Sequence, residues 1–228
     1  RGAEDTETIP GGFLRVLCVS VVIIAVGLAA WAGAADPASD PLAPWRGAVN
    51  CAPVSPNQSR HTVHSYFNTS PESPDGRWVL LYSSTTPEGY QGELRIIERA
   101  TGREKVLARN VTVEDAHRVA CQQWISRGRR VVYHDLRAGE WVVVSVDIET
   151  LKEKVLARGR QLAWGQANSD LVPIYGPHWA PGAHRDLELL NVETGQIRTV
   201  VTAAGVTAAY SGWIEKEFQG KPISIFFP

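Results

Sequence analysis

The sequence predicts an all-β fold made of a repeated four-stranded unit, on three observations. The first is a recurring segment: Ile97-Glu98-Arg99-Ala100-Thr101-Gly102-Arg103-Glu104-Lys105-Val106, then Ile148-Glu149-Thr150-Leu151-Lys152-Glu153-Lys154-Val155, then Val192-Glu193-Thr194-Gly195-Gln196-Ile197-Arg198. Its anchors Thr101, Thr150 and Thr194 lie 49 and 44 residues apart, the size of one blade of a β-propeller, about 40 to 50 residues of four antiparallel strands. The second is a turn followed by an apolar run upstream of each copy, and the third is that almost no stretch beyond residue 60 calls for a helix. The expected fold is therefore a partial β-propeller of about three four-stranded blades, preceded by a hydrophobic helix and a Pro-rich tether.

Residues 1–15 form a polar N-terminal segment. From Val16 to Ala35 run 20 residues without a charge, at the edge of the roughly 20 needed to span a bilayer. Ala32-Gly33-Ala34 fits a signal-peptidase site, whereas Glu4, Asp5 and Glu7 make the preceding segment acidic, so residues 16–35 read as a signal peptide or a transmembrane anchor. Either reading exports the downstream domain, to the periplasm or the exterior or anchored at the membrane, with membrane contact only through residues 16–35. Residues 36–59 carry Pro37, Pro41, Pro44, Pro53 and Pro56 without hydrophobic period and read as a tether. Residues 60–228 are the expected propeller part.

In the first blade Ser73-Pro74-Asp75-Gly76 supplies a turn, Arg77-Trp78-Val79-Leu80-Leu81-Tyr82 a strand, and Glu93-Leu94-Arg95-Ile96-Ile97 the next. The second repeats this with Ser126-Arg127-Gly128-Arg129, Arg130-Val131-Val132-Tyr133 and Trp141-Val142-Val143-Val144-Ser145-Val146. The third does so with Asn168-Ser169-Asp170, Leu171-Val172-Pro173-Ile174-Tyr175 and Asp186-Leu187-Glu188-Leu189-Leu190. Ile223-Ser224-Ile225-Phe226-Phe227-Pro228 reads as a further strand. Three blades do not close a ring of about four to eight, and the chain opens on Arg1 with no Met, so truncation is expected at both ends.

The formal charge is −1, and with no basic stripe or zinc-finger spacing a nucleic-acid partner is not expected. No serine elbow, Gly-rich phosphate loop, Cys-x-x-Cys or His-Glu-x-x-His is present. Cys51 and Cys121 either pair in an oxidising compartment or remain separate buried thiols.

The Ser-Pro-Asp-Gly turn, apolar strand and acidic-Thr-Gly hairpin resemble TolB-like and WD-type propeller repeats from about Arg60 onward. Ser65-Tyr66-Phe67-Asn68-Thr69-Ser70-Pro71-Glu72-Ser73-Pro74-Asp75-Gly76, with His117 and Cys121-Gln122-Gln123-Trp124, resembles the oligogalacturonate lyase-type propellers. That resemblance implies a divalent metal of the manganese type held by His and Gln side chains, a His base, β-elimination, and an acidic oligosaccharide substrate. Carried onto this chain, it makes His117, Gln122, Gln123 and His178 candidate metal ligands, with His117 and Arg118 as candidate catalytic residues. Abstracting a proton beside a carboxylate needs that charge neutralised, which a metal or an Arg does. Arg118 or Arg185 would clamp a sugar carboxylate, and Trp124, Trp164 and Trp179 would stack on sugar rings. The plainer roles are histidines that fix blade corners and tryptophans that pack blades. Three functions stay open: polyuronate lyase, a non-catalytic propeller binding protein or carbohydrate, and the propeller part of a prolyl-oligopeptidase-type peptidase.

Overall fold

The computed structural model describes residues 53–57, 59–221, 223–225 and 227. The expected apolar segment and most of the tether lie outside the described residues. No helix among the described residues is long and apolar enough to cross a membrane.

Among the described residues, twelve strands form three four-stranded antiparallel sheets. The first holds β1 (His61–Val63), β2 (Trp78–Ser84), β3 (Gln91–Glu98) and β4 (Glu104–Thr112); the second β5 (Gln123–Ile125), β6 (Arg130–Arg137), β7 (Glu140–Asp147) and β8 (Glu153–Arg158). The third holds β9 (Gln161–Leu162), β10 (Leu171–Tyr175), β11 (Leu187–Asn191) and β12 (Ile197–Val201). Each sheet is a plain meander in chain order, the topology of a propeller blade. The fourth strands begin at residues 104, 153 and 197, which reproduces the spacing of the threonine anchors.

One turn chemistry joins the third and fourth strands of every sheet. The N–H groups of Gly102, Leu151 and Gly195 donate to the carbonyls of Glu98, Asp147 and Asn191 at 2.8, 2.9 and 2.8 Å. The Asp147 carboxylate also accepts from the N–H of Glu149 and Thr150 and from the Thr150 hydroxyl, at 3.1, 2.9 and 3.1 Å. Asn191 Oδ1 accepts the equivalent two N–H bonds, both at 3.0 Å, while Glu98 takes the Thr101 hydroxyl at 2.7 Å. In the second and third sheets a short side-chain oxygen at the first position thus closes the turn locally. Gly102, Leu151 and Gly195 sit at φ of +70°, +57° and +80°, a region that favours glycine.

Alternation along the middle sheet explains its unbroken valine runs. Val131, Tyr133, Val142, Val144 and Val146 pack against Trp78, Leu80, Tyr82, Leu94 and Ile96 of the first sheet. Val132, Val143 and Ile125 face Leu162, Val172, Ile174 and Leu190 of the third. With both faces covered, neither parity of side chain meets water. Each such buried side chain contributes about 1.5–3 kcal/mol. By contrast, β12 is almost wholly exposed.

Two features differ from the sequence reading. The segment after β12 forms α1 (Ala203–Ala209) and α2 (Ser211–Phe218). Thr202 caps α1 by accepting from Gly205 N–H at 3.0 Å, and the alanine-rich segment has high helix propensity. The expected strand at residues 223–228 is not one: Ile223, Ser224, Ile225 and Phe227 are irregular. Cys121 is a free, buried thiol, and Cys51 lies outside the described residues.

Candidate functional site

The first strands β1, β5 and β9 are edge strands of two or three residues, and segments continuing from them hold the sheets to one another. Gln123 of β5 donates to the carbonyls of Cys121 and Ala163 at 3.2 and 2.9 Å and accepts from Gly165 N–H at 2.6 Å. Ser126 and Arg127 N–H donate to the carbonyls of Ser169 and Ala167, both at 2.8 Å. Trp124 is buried and donates its indole N–H to Pro71 O at 2.8 Å.

Aromatic side chains gather at the same edge. Tyr66, between β1 and β2, stacks on Trp164, which follows β9: the ring centroids are 5.4 Å apart and the planes 3° from parallel. His117, from the β4–β5 loop, meets Tyr66 edge-on at 5.0 Å, its Nε2 lying 3.3 Å from the Tyr66 hydroxyl. Phe67 lies against Tyr66 at 4.5 Å and is 81% exposed. Loops associated with all three sheets therefore meet at Tyr66. Beside this group is a cleft of about 270 Å³ lined by Asn68, Thr69, Ser70, Gln123, Trp124, Gly165, Gln166 and Ala167.

A second, polar cluster lies around Arg118. Its guanidinium donates to the Tyr175 hydroxyl and, at 3.6 Å, to Cys121 Sγ. Burial pushes the Cys121 thiol and the Tyr175 hydroxyl each up to about 12, against the pull of Arg118. Gln161 joins this cluster to the β10–β11 loop: its amide donates to Glu114 at 3.4 Å and accepts from His178 N–H at 2.5 Å. Burial raises the Glu114 pKa. Burial, then Arg118, lowers that of His178, with Asp115 opposing. His178 Nδ1 is buried without a hydrogen-bond partner among the described residues, as is Gln122 Oε1. Trp179 packs on His178 at 4.2 Å and is 76% exposed.

These positions redistribute the residues that the sequence singled out. His117 joins the aromatic group through Tyr66, whereas His178 joins the polar cluster through Gln161. No group of three or more His, Cys, Asp or Glu among the described residues is placed to hold a metal ion. Gln123 has both amide atoms committed to backbone, and buried Gln122 spans to Val63 O at 3.4 Å. Of the candidate ligands, His178 Nδ1 and Gln122 Oε1 are buried without a partner among the described residues. Of the two expected carboxylate clamps, Arg118 donates through Nη2 to Tyr175 and Cys121, and Arg185 through Nη1 to Ser224. Trp124 is 2% exposed, leaving no free face for a sugar. Of the expected stacking residues, Trp179 and Trp164 keep accessible surface. The sequence reading took Tyr66, Phe67 and Asn68 only as part of the resembling stretch, with no role, and did not single out Gln166. Their signal was an aromatic pair set among small polar residues, Ser65 and Asn68-Thr69-Ser70.

No family model matches the chain, and no curated protein matches it. Among solved structures it is similar to TolB-like and oligogalacturonate lyase propellers. TolB from Acinetobacter baumannii matches at 9% identity and a TM-score of 0.45, over 62% of this chain and 32% of that one. An oligogalacturonate lyase from Vibrio parahaemolyticus matches at 14% and 0.45, over 65% of this chain and 42% of that one. A puromycin hydrolase matches at 19% and 0.46, over 63% and 22%. The matched region thus spans less than half of each of these proteins.

Proposed function

We propose that this chain supplies blades to an exported β-propeller that binds a carbohydrate and performs no chemistry on it. The observation that supports this reading is the aromatic group at the meeting edge of the three sheets: Tyr66 stacked on Trp164, with Phe67 beside it 81% exposed. A large apolar ring held open at a loop junction, next to a polar cleft, is the arrangement that small-ligand sites use. Elimination from a uronate asks for more, namely charge neutralisation at the carboxylate together with a free base. Arg118 donates to Tyr175, and no group of three or more His, Cys, Asp or Glu among the described residues is placed to hold a metal ion, which favours binding over elimination.

The test is calorimetric titration of the full chain with neutral and uronate oligosaccharides, alongside the double variant Tyr66→Ala, Phe67→Ala. Saccharide binding is expected for the native chain. Removing two ring contacts of about 0.5–1.5 kcal/mol each should weaken it by about fivefold or more. Unsaturated-product absorbance appearing with manganese and a uronate, or no binding to any saccharide, would overturn the proposal.

A further inference from the structure

The cleft beside Tyr66 has a chemical bias of its own. All eight of its lining residues are uncharged: Asn68, Thr69 and Ser70 on one wall, Gly165, Gln166 and Ala167 on the other, with Gln123 and Trp124 between. Gln123 and Trp124 are committed to backbone partners. Asn68 and Gln166 are exposed, and their side-chain amides make no hydrogen bond among the described residues. Each therefore offers two N–H donors and a carbonyl acceptor. Thr69 donates its hydroxyl to Tyr66 O at 3.0 Å, which leaves its oxygen free to accept. Both walls continue directly from the aromatic group, since Asn68 follows Phe67 and Gly165 follows Trp164 in the chain.

We infer that this cleft is a subsite for an uncharged sugar ring, with the exposed Phe67 ring beside it and the amides of Asn68 and Gln166 serving its hydroxyls. The inference rests on the proposed carbohydrate-binding function and narrows its ligand to neutral saccharides. Amides and hydroxyls satisfy donors and acceptors in pairs, as sugar hydroxyls require. A carboxylate entering the same space would shed water without meeting a cation, which is costly.

The experiment compares a neutral hexose oligosaccharide with a uronate oligosaccharide of equal length, by calorimetry at one ionic strength, on the full chain. The neutral ligand is expected to bind at least about tenfold more tightly, because an unpaired charge must be desolvated in the other case. Gln166→Ala and Asn68→Ala are each expected to weaken the neutral ligand several-fold with the circular dichroism spectrum unchanged, and Gln166→Lys to shift preference toward the uronate. If the uronate binds as tightly as the neutral ligand, the inference is overturned while the carbohydrate-binding function stands. Should neither amide variant change neutral affinity, the subsite is elsewhere and the inference again falls with the broader reading intact. If no saccharide binds at all, the proposed function itself fails.

Discussion

Leu151 occupies a backbone conformation that its two counterparts, Gly102 and Gly195, fill with glycine, and it does so 45% exposed with φ of +57°. A side chain there costs about 1–2 kcal/mol, part of which is returned by a less flexible unfolded chain. Leu151→Gly should therefore raise stability by about 0.5–1 kcal/mol, read as a higher denaturant midpoint at unchanged slope. His134 makes the opposite kind of commitment. It is fully buried, its Nδ1 accepts from Leu162 N–H at 3.2 Å, and burial, reinforced by Arg118, pushes its pKa down to about 3. The unfolded chain takes up the proton near the ordinary value of 6.5 and the folded one refuses it until about 3. Stability is thus fully present above 6.5 and falls as pH drops below it. His178 adds to the slope with the same sign and Glu114, raised by burial, opposes it, while Asp75, Asp147, Glu93 and Glu193, all held below their usual values, act only at lower pH. Denaturant curves should therefore lose stability already between pH 6.5 and 5, before the carboxylates titrate. Flat stability across that interval would contradict a neutral buried His134.

Between elements, Gln123 ties the short strand β5 to the segment after β9 through two hydrogen bonds, to Ala163 O and from Gly165 N–H. Gln123→Leu keeps most of the volume but strands Ala163 O and Gly165 N–H, so it should cost about 2–4 kcal/mol in equilibrium unfolding; a loss below about 0.5 kcal/mol would show that the sheets hold without this clip. The long strands were legible in the sequence because their signals are local. Runs such as Val142-Val143-Val144 are bounded by turn residues, and the Thr101, Thr150 and Thr194 hairpins close on their own side chains. The first strands were far less legible. Gln161–Leu162 is two residues long, and its ladder partner is the distant β10 of the same sheet. For α1 and α2 the expected rhythm of strands overrode a cap-and-alanine pattern, Thr202 followed by Ala203-Ala204, that marks a helix start. The candidate site was half legible. The sequence singled out His117, Gln122, Gln123 and His178 for one channel mouth, but it does not show that His117 sits with Tyr66 while His178 sits with Gln161, or that Gln123 already holds backbone partners.

At the scale of the whole molecule, three meanders with a doubly covered middle sheet make a stack in which each sheet depends on its neighbour, as in other nearest-neighbour repeat arrays. Core contacts bind the first sheet to the second and the second to the third, whereas polar and aromatic contacts gather where the first strands converge. The cleft shares Trp124 and Ala167 with the core, whereas Asn68 and Gln166 on its rim are exposed. The left-handed run Ser126, Arg127, Gly128, with φ of +52°, +57° and +83°, carries this arrangement into kinetics. It turns the N–H groups of Ser126 and Arg127 away from their own sheet and onto Ser169 and Ala167 of the third. Those two amides stay protected from deuterium only while the second and third sheets remain together, so their exchange clocks the parting of that seam rather than the fraying of either sheet. Ala167 also lines the cleft, so any occupant that braces its walls slows that clock, making the seam a built-in reporter of occupancy.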